Sequence, residues 1–526
     1  MREPPLHARR RIVWLRVAML LAIASVVAAR EVLLLALATQ PFPVAYLFED
    51  DAYYALAVAR NLAHGHGPTA DGSQWTNGFQ PLWTVLVSGP YALFEDERLV
   101  FAAICLLSTA LWLASAYLFA RLVHGFIAAP AQKAAVPWLR LAIAAVFLSD
   151  LQLQAAYFNG LETGLYLTLV LAILLFARPE VRLSGLNGGS IGPPLGVGIA
   201  LGVMILARND GVFLAAALLI AAALSKRTWA RLRAVVVCGL ALTAVLLPWL
   251  AFNVWLTGSI VPQSGLATNA GPYASDDILA KTSQLLARLA QLTYTPFPMD
   301  YGAIGTSSAP QTVLLAALSI GVGLTLAARH SAVQLPAKLV WPLAVAVVCL
   351  GAYYVMASGA VWMYDRYLMP YKLLALCAWG FFLVTWIARV PSVAVALAVF
   401  AAVGVSLYYQ LGGPSPGSNM SQDALWLQES ALVQGDHKIG MFESGRAAYA
   451  FPGRVINLDG KTNLAALRAI QQGEFLQYLE RSDLDVLVFR AYFEPWLDAA
   501  YPAWRTVFVP EPGGLPGLVI SHRVAA

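Results

Sequence analysis

The sequence predicts a mainly α-helical protein, a polytopic transmembrane bundle followed by a small soluble α/β domain. Of the 526 residues, 59% are hydrophobic and only 12% are charged, and the mean hydropathy of +0.66 exceeds that of soluble globular proteins. Uncharged apolar stretches of about 18 to 25 residues recur, each long enough to cross a hydrocarbon core as a helix. Near Leu411 the composition becomes mixed, which predicts the soluble domain.

The arginine-rich N-terminus predicts a cytoplasmic start, because Lys and Arg are retained on the cytoplasmic side of short loops. A first span near Leu15 to Leu37 then brings Glu49–Asp51 to the outer face. The stretch Phe79 to Phe94, about 16 residues with two prolines, is either a true crossing or a juxtamembrane helix that returns to the outer face. Basic residues beyond the stretch Leu99 to Ala120 favour the juxtamembrane helix. The count is then about 11 spans, with the N-terminus inside and the C-terminus outside.

These boundaries divide the chain into a transmembrane domain, residues 1–410, with a first outer loop at 38–98, and an extracytoplasmic α/β domain, residues 411–526. In the second domain, alternating and β-branched residues predict four short strands, Lys438–Phe442, Arg454–Leu458, Val486–Phe489 and Gly517–Ser521. Helical periodicity predicts two helices between strands, Gln422–Val433 and Leu464–Leu479.

The first outer loop begins with an acidic run, Glu49–Asp51. Neighbouring carboxylates repel one another, which raises a pKa toward the range in which a general base works well. The alternative is that Asp50 or Asp51 caps the helix beginning near Ala52. One cap accounts for one aspartate and leaves the rest of the run unexplained, so Asp50 and Asp51 are the candidate catalytic residues.

The next part of the loop, Trp75–Trp83, combines aromatic side chains with amides. A sugar stacks its apolar ring face on aromatic rings, while its hydroxyls make hydrogen bonds with amides. The candidate sugar-binding residues are Trp75, Asn77 and Gln80. For the tryptophans, an interfacial aromatic belt without any ligand explains the pattern at least as well.

Three basic residues, Arg208, Arg366 and Lys372, are predicted at outer ends of spans, where an anionic lipid head group would lie. Ionisable groups at membrane depth are costly and are usually functional, and arginine binds phosphate bidentately. Arg208 and Arg366 are therefore the candidate ligands of a leaving phosphate, and Lys372, one turn beyond Arg366, is a further candidate substrate-binding residue. The alternative for the arginines is an internal ion pair. The acidic partners available are Asp210, Asp365 and Glu162.

Short motifs follow one another along the chain at Glu49–Tyr54, Ala59–Gly67, Thr76–Trp83, Asn159–Thr163, Arg208–Gly211, Val261–Gly265, Arg366–Pro370 and Asn457–Gly460. In this order they resemble the GT-C superfamily of integral-membrane glycosyltransferases, in particular bacterial relatives of the mycobacterial arabinofuranosyltransferases. The resemblance covers nearly the whole chain.

The resemblance implies that an aspartate of the first outer loop, here Asp50 or Asp51, is the catalytic base. Gln80 departs from the histidine that relatives often carry, which argues against an acid or metal role there. The expected substrate-binding set is completed by Glu49, Tyr54, Glu162 and Asp210.

The resemblance implies an inverting glycosyltransferase with an aspartate as general base. It would move a sugar from a polyprenyl-phosphate donor to an extracytoplasmic acceptor, a cell-envelope glycan, lipid or protein. We expect a multi-pass protein of the bacterial cytoplasmic membrane, in contact with membrane lipids. No cofactor is evident, no metal site is predicted although the sequence leaves a divalent metal open, and no nucleic acid is expected as a partner.

Two functions from other classes remain alternatives. A lipid or glycolipid transporter or flippase would share the spans and the buried charges, but an inverted repeat is missing and a soluble domain is present. A relative that binds a glycolipid without catalysis is the other alternative, and a transfer assay separates it from an enzyme.

Overall fold

A computed structural model describes residues 6–38, 48–125, 139–177, 192–225, 228–273, 277–294, 337–359, 365–377, 392–412, 436–511 and 517–524. The predicted helix Gln422–Val433 lies outside these residues. The described parts form a helical bundle and a C-terminal sheet with helices around it.

The bundle and its outer loops contain fifteen described helices. They are α1 (Leu6–Ala38), α2 (Asp50–Ala63), α3 (Pro81–Leu93), α4 (Glu97–Gly125), α5 (Leu139–Ser149), α6 (Leu151–Phe158), α7 (Thr163–Ala172), α8 (Gly192–Ala207), α9 (Gly211–Ser225), α10 (Trp229–Thr257), α11 (Gln263–Ala267), α12 (Ile278–Tyr294), α13 (Ala337–Met356), α14 (369–377) and α15 (Ser392–Gly412). A 3₁₀ turn, Asp365–Leu368, leads directly into α14.

Three of the described helices are long and apolar enough to cross a membrane: Arg16–Ala36 within α1, α4 and α10. The pair α5 and α6 passes the same test as one span bent by 68°. The bend follows from Asp150, whose carboxylate accepts hydrogen bonds from the first backbone N–H groups of α6. Shorter apolar helices pack around these spans. The fold is therefore a polytopic helical bundle, and the predicted count of about 11 spans is not confirmed.

The short helix α3 has 13 residues, which rise only about 20 Å against a hydrocarbon core of about 30 Å. The Trp83 indole N–H donates to the Gly160 carbonyl oxygen at 3.0 Å, which fixes α3 against the loop before α7. This length agrees with the predicted juxtamembrane helix. The position of α3 relative to the membrane stays a prediction.

The C-terminal domain is built on a five-stranded sheet in the order β2-β1-β3-β5-β4. Its strands are β1 (Ile439–Met441), β2 (Val455–Asn457), β3 (Val486–Arg490), β4 (Phe508–Pro510) and β5 (Leu518–Arg523). The strand β1 is parallel to β2 and β3, whereas β5 is antiparallel to β3 and β4. The four predicted strands are confirmed, and the three-residue β4 was missed.

The helices of this domain are α16 (Gly445–Ala450), α17 (Leu464–Gln472), α18 (Phe475–Arg481), α19 (Glu494–Ala500) and α20 (Trp504–Val507). The single helix predicted over Leu464–Leu479 is two helices, because Gly473 takes the left-handed φ of 73° that ends α17. Aromatic residues fill the domain's core, with Phe442, Phe475, Phe489 and Trp504 all buried.

Candidate active site

The motifs singled out in the sequence meet at the junction of the first outer loop, the bundle and the C-terminal domain. The Glu49 N–H donates to the Asn159 carbonyl oxygen at 3.1 Å. The Arg208 guanidinium donates to the Arg366 carbonyl oxygen at 2.9 Å. The Gln263 amide donates to the Gly460 carbonyl oxygen at 2.8 Å. Each contact joins two motifs that lie more than 100 residues apart along the chain, so the motifs form one structural unit.

Two acidic and two basic side chains, which we name the open cluster, meet in this unit: Glu49, Asp51, Arg366 and Lys461. Arg366 donates to Asp51 and lies 3.4 Å from the Glu49 carboxylate. The Lys461 ammonium donates to the other Asp51 oxygen at 3.1 Å. The Asp51 side chain is 25% exposed and that of Glu49 51%. The Arg366 and Lys461 side chains are 13% and 15% exposed, so an anionic ligand would meet both cations by displacing the more exposed carboxylates.

The charge state of Asp51 is set by its two cationic partners. Burial acts to raise the pKa of Asp51, but Lys461 and Arg366 together outweigh it and hold the pKa below its ordinary value. Asp51 is thus ionised and only weakly basic while both ion pairs are intact. A ligand that draws Lys461 and Arg366 away would raise its basicity.

The neighbouring Asp50 is buried and joins the two domains. Its carboxylate accepts the Gly445 N–H at 3.1 Å and the Arg446 N–H at 2.8 Å, at the start of α16. A side chain at position 445 would clash, because its Cβ would lie 2.0 Å from the Asp50 carbonyl oxygen. Burial is the main cause that raises the pKa of Asp50 to about 7, while Arg446 lowers it.

The alternative that Asp50 or Asp51 caps its own helix is wrong. The N-cap of α2 is Glu49, and no side chain caps that helix end. Helical geometry separates consecutive residues by about 100° around the axis, so Asp50 and Asp51 face different neighbours. Asp50 contacts the C-terminal domain and Asp51 contacts the open cluster.

A second group of charges, which we name the closed cluster, lies inside the bundle: Glu162, Arg208, Asp210 and Tyr354. The Arg208 Nε lies 2.9 Å from both Asp210 oxygens, and the Glu162 carboxylate lies 3.7 Å from Nη1. The Tyr354 hydroxyl donates to Asp210 at 3.0 Å. Arg208 is 4% exposed. The structure therefore shows Arg208 in the internal ion pair that was the alternative, and its predicted role as a phosphate ligand stays a prediction.

Lys372 also lies in an internal ion pair. It is buried in the bundle, where its ammonium lies 2.8 Å from the Asp150 carboxylate. It also donates to the Gln152 side-chain oxygen at 2.8 Å and to the Leu292 carbonyl oxygen at 3.1 Å. The charge of Lys372 is neutralised at the break between α5 and α6, where this lysine holds helices together.

The predicted sugar-binding loop is mostly structural. Asn77 is fully buried, donating to the Asn253 side chain at 3.0 Å and accepting the Gln263 N–H at 2.8 Å. The Gln80 side chain accepts the Asn209 N–H at 3.3 Å. Trp75 keeps an exposed ring and packs beside aromatic residues of α10. Asn77 and Gln80 thus hold the loop against the bundle, and Trp75 stays the candidate for stacking.

Tyr54 is buried between the domains. Its hydroxyl accepts the Ser444 N–H at 2.9 Å and the Asn457 amide at 3.2 Å, and it donates to Asp459 at 3.5 Å. These three bonds make Tyr54 a docking residue between the domains, and its predicted contact with substrate stays a prediction.

The sequence analysis missed Lys461, although it directly follows the motif Asn457–Gly460. Its backbone lies against the first outer loop, where a Cβ at Gly78 would come within 1.9 Å of the Lys461 carbonyl oxygen. Glycine at position 78 therefore allows the approach that brings the Lys461 ammonium to Asp51. Among the described residues, no three His, Cys, Asp or Glu side chains are grouped as metal ligands.

No protein-family model and no curated protein matches the sequence. Solved structures match it over nearly its whole length. ArnT from Cupriavidus metallidurans, bound to undecaprenyl phosphate, aligns with a TM-score of 0.54 and 13% identity over 98% of each chain. The chain has the GT-C fold. The resemblance predicted from the motifs is thus confirmed for the fold.

Two further solved structures align with the chain. The apo oligosaccharyltransferase of Archaeoglobus fulgidus aligns with a TM-score of 0.50 and 13% identity, over 94% of this chain and 73% of that one. The mycobacterial arabinofuranosyltransferase AftD aligns with 14% identity over 98% of this chain and 42% of its own. Its TM-score of 0.41 is too low to support a conclusion from this alignment.

Proposed function

We propose that this GT-C chain is a glycosyltransferase that moves a sugar from a polyprenyl phosphate to an acceptor hydroxyl outside the cytoplasmic membrane. The observation that carries the proposal is the open cluster, in which an ionised aspartate of the first outer loop is held by Arg366 and Lys461. ArnT, which shares the fold, was solved with undecaprenyl phosphate bound, and this supports a polyprenyl carrier.

The two cations of the open cluster suit a phosphate. An arginine can hold two phosphate oxygens in a bidentate contact, and a lysine adds a point charge. When Arg366 and Lys461 bind the donor phosphate, their pairs with Asp51 weaken and its basicity rises. Donor binding therefore prepares Asp51 to act as the general base.

The transfer then proceeds as a single displacement. Asp51 accepts the proton of the acceptor hydroxyl while that oxygen forms a bond to the anomeric carbon, on the face opposite the phosphate. The bond from the anomeric carbon to the phosphate oxygen breaks, and its electron pair stays on the lipid phosphate. Arg366 and Lys461 stabilise the negative charge that develops there. The anomeric configuration is inverted.

An apolar crevice in the bundle supports a lipid-linked donor. It lies between α4, α7, α9, α13 and α14 and is lined by aliphatic side chains, with Asp210 as its acidic lining residue. Leu122, Val170, Leu214 and Ala346 are among these side chains. We place part of the polyprenyl tail in this crevice. The crevice lies beside the closed cluster, since Asp210 belongs to both.

A transfer assay tests the proposal with the purified full chain in lipid nanodiscs, a panel of polyprenyl-phosphate sugars and soluble glycan acceptors. We expect Asp51→Asn to reduce turnover by at least about a hundredfold, the usual contribution of a general base. The matched variant Asp50→Asn should lose much less. Severe loss in Asp50→Asn with activity retained in Asp51→Asn would assign the base to Asp50. Movement of the lipid-linked sugar across the bilayer without transfer would instead favour the transporter.

A further inference from the structure

Polar residues lie at one edge of the C-terminal sheet, next to the open cluster. The strands β2, β1 and β3 are adjacent and parallel. In open α/β sheets, ligands bind in the crevice outside the carboxyl ends of such strands. Here Asp459 and Lys461 follow β2, Glu443 follows β1, and Tyr492 follows β3. Since Lys461 pairs with Asp51, this edge opens onto the open cluster.

Glu443 has an unusual backbone conformation at this edge. Its φ of +50° makes it the one non-glycine residue with a positive φ in the described part of the chain. A residue other than glycine is strained there, and such strain persists where the surroundings impose it and is concentrated at functional sites. The Glu443 N–H donates to Asp459 at 3.2 Å, and the Tyr492 hydroxyl donates to the Glu443 carboxylate. These contacts hold the carboxylate at the strand ends.

The surroundings of Glu443 link it to the open cluster. Burial raises the pKa of Glu443, Lys461 lowers it, and the charges of Asp459 and Asp51 raise it further. Contacts give the same link: the Glu443 N–H donates to Asp459, the Asp459 carboxylate lies 3.9 Å from the Lys461 ammonium, and Lys461 pairs with Asp51. The mechanism proposed above does not use this carboxylate.

The pair Glu443 and Tyr492 has the chemistry of a carbohydrate site. A carboxylate accepts hydrogen bonds from two neighbouring hydroxyls, and an exposed aromatic ring stacks on the C–H face of a sugar. Tyr492 is 52% exposed, so its ring is accessible from solvent, while its hydroxyl lies on the Glu443 carboxylate.

We infer that Glu443 and Tyr492 form the acceptor subsite, which binds a carbohydrate through a vicinal diol and holds the reacting hydroxyl toward Asp51. This inference rests on the proposed function, because it assigns the acceptor of that reaction to a class, and it places acceptor recognition in the C-terminal domain. Glu443 is then a specificity residue and Asp51 the catalytic one.

Binding can be measured without turnover. Saturation-transfer NMR with a panel of methyl hexosides and pentosides, on the full chain in nanodiscs, should detect bound glycoside for the wild type and for Asp51→Asn. Glu443→Gln should weaken binding by at least about tenfold, the loss expected when a charged hydrogen-bond acceptor is removed. Tyr492→Ala should weaken it as well. The exposed Glu480→Gln in the same domain is the matched control and should bind as the wild type does.

Misfolding is excluded by a second variant. Glu443→Gly removes the carboxylate and also the cost of a positive φ, so its melting temperature should equal or exceed that of the wild type while glycoside binding is lost. A lowered melting temperature together with retained binding would overturn the inference. So would the absence of saturation transfer to every glycoside of the panel.

The outcomes also separate this inference from the proposed function. If the wild type transfers sugar and Glu443→Gln keeps the wild-type acceptor KM, the acceptor subsite is wrong and the transferase stands. If glycosides bind in a Glu443-dependent manner and no donor supports transfer, the transferase is wrong and Glu443 and Tyr492 form a carbohydrate site without an acceptor role.

Discussion

The open and closed clusters contain the same kinds of charged residue in different surroundings. Each places an arginine beside two acidic side chains. All members of the closed cluster come from the bundle. The open cluster combines the first outer loop, the bundle and the C-terminal domain, through Asp51, Arg366 and Lys461. Charges enclosed within one packed unit have fixed partners, whereas charges at a junction of three units can exchange partners with a ligand.

The two clusters are also connected. The guanidinium of Arg208 donates to the carbonyl oxygen of Arg366, so the closed cluster supports the backbone that presents the open one. Removing a charge of the closed cluster should therefore mainly lower stability. Removing a charge of the open cluster should mainly impair use of the donor.

The largest expected effect on stability is that of Asp210→Asn. It leaves the buried Arg208 without its bidentate partner, and breaking a buried ion pair costs roughly 3–5 kcal/mol of unfolding free energy. Unfolding in mixed micelles measures this loss. Asp51→Asn, at the more exposed cluster, should cost far less. Equal losses in the two variants would remove the distinction between the clusters.

Substitution by lysine should have different effects at Arg366 and at Arg208. Arg366→Lys exchanges a bidentate phosphate contact for a point charge and should weaken productive use of the donor by roughly 1–3 kcal/mol, at unchanged acceptor KM. Arg208→Lys should lower the melting temperature and leave the donor KM as it is. Steady-state kinetics with varied donor separates the two. The reverse pattern would place the phosphate at the closed cluster.

The assembly of the open cluster can be disturbed through Gly78. In Gly78→Ala the new methyl group meets the Lys461 carbonyl oxygen at 1.9 Å, so the C-terminal domain must shift. We expect a loss of roughly 1–3 kcal/mol, typical of overpacking, together with reduced turnover. The control is Gly89→Ala in α3, where the added Cβ meets nothing within 4 Å. A fully active and stable Gly78→Ala would contradict the described docking.

The smallest expected effect concerns the pH dependence of stability. The contributions of Asp50 and Asp51 should change with pH in opposite directions. Burial raises the pKa of Asp50 from 3.8 to about 7, so the folded state binds the proton more tightly than the unfolded chain. Its contribution to stability is present below about pH 4 and is lost as the pH rises to about 7. Asp50→Asn should flatten this part of the melting-temperature profile.

Asp51 provides the contrasting measurement. Its pKa is lowered by its two cations against the effect of burial, so its contribution is present above the unfolded value of 3.8 and is lost as the pH falls below it. Asp51→Asn should therefore change the acidic end of the profile. Identical profiles for the two variants would show that the two carboxylates share one environment.

The sequence was sufficient for features that depend on local pattern. Hydropathy predicted the bundle, alternation predicted four of the strands, and the length of the stretch around α3 argued against a crossing. The break at Gly473 was missed, although a glycine is the usual residue at a helix end. The span count was not predictable in the same way, because many of the described helices are short or bent.

The candidate site depended on long-range contacts that no local pattern contains. Lys461 lies 410 residues from Asp51, so its role could not be read from either motif alone. Arg208 and Arg366 have similar surroundings in the sequence, and their partners in space decide which of them is enclosed. Asp50 and Asp51 are adjacent in the chain, and the helical turn between them gives them different neighbours.

Several contacts that dock the C-terminal domain join a main-chain group to a side chain. The main-chain groups are the N–H groups of Gly445 and Arg446 and the carbonyl oxygens of Phe48, Tyr449 and Gly460. Their partners are the side chains of Asp50, Arg446, Arg60 and Gln263. Two close approaches, at Gly78 and Gly445, leave no room for a side chain. The pose of the domain therefore constrains these four side chains and two glycines together.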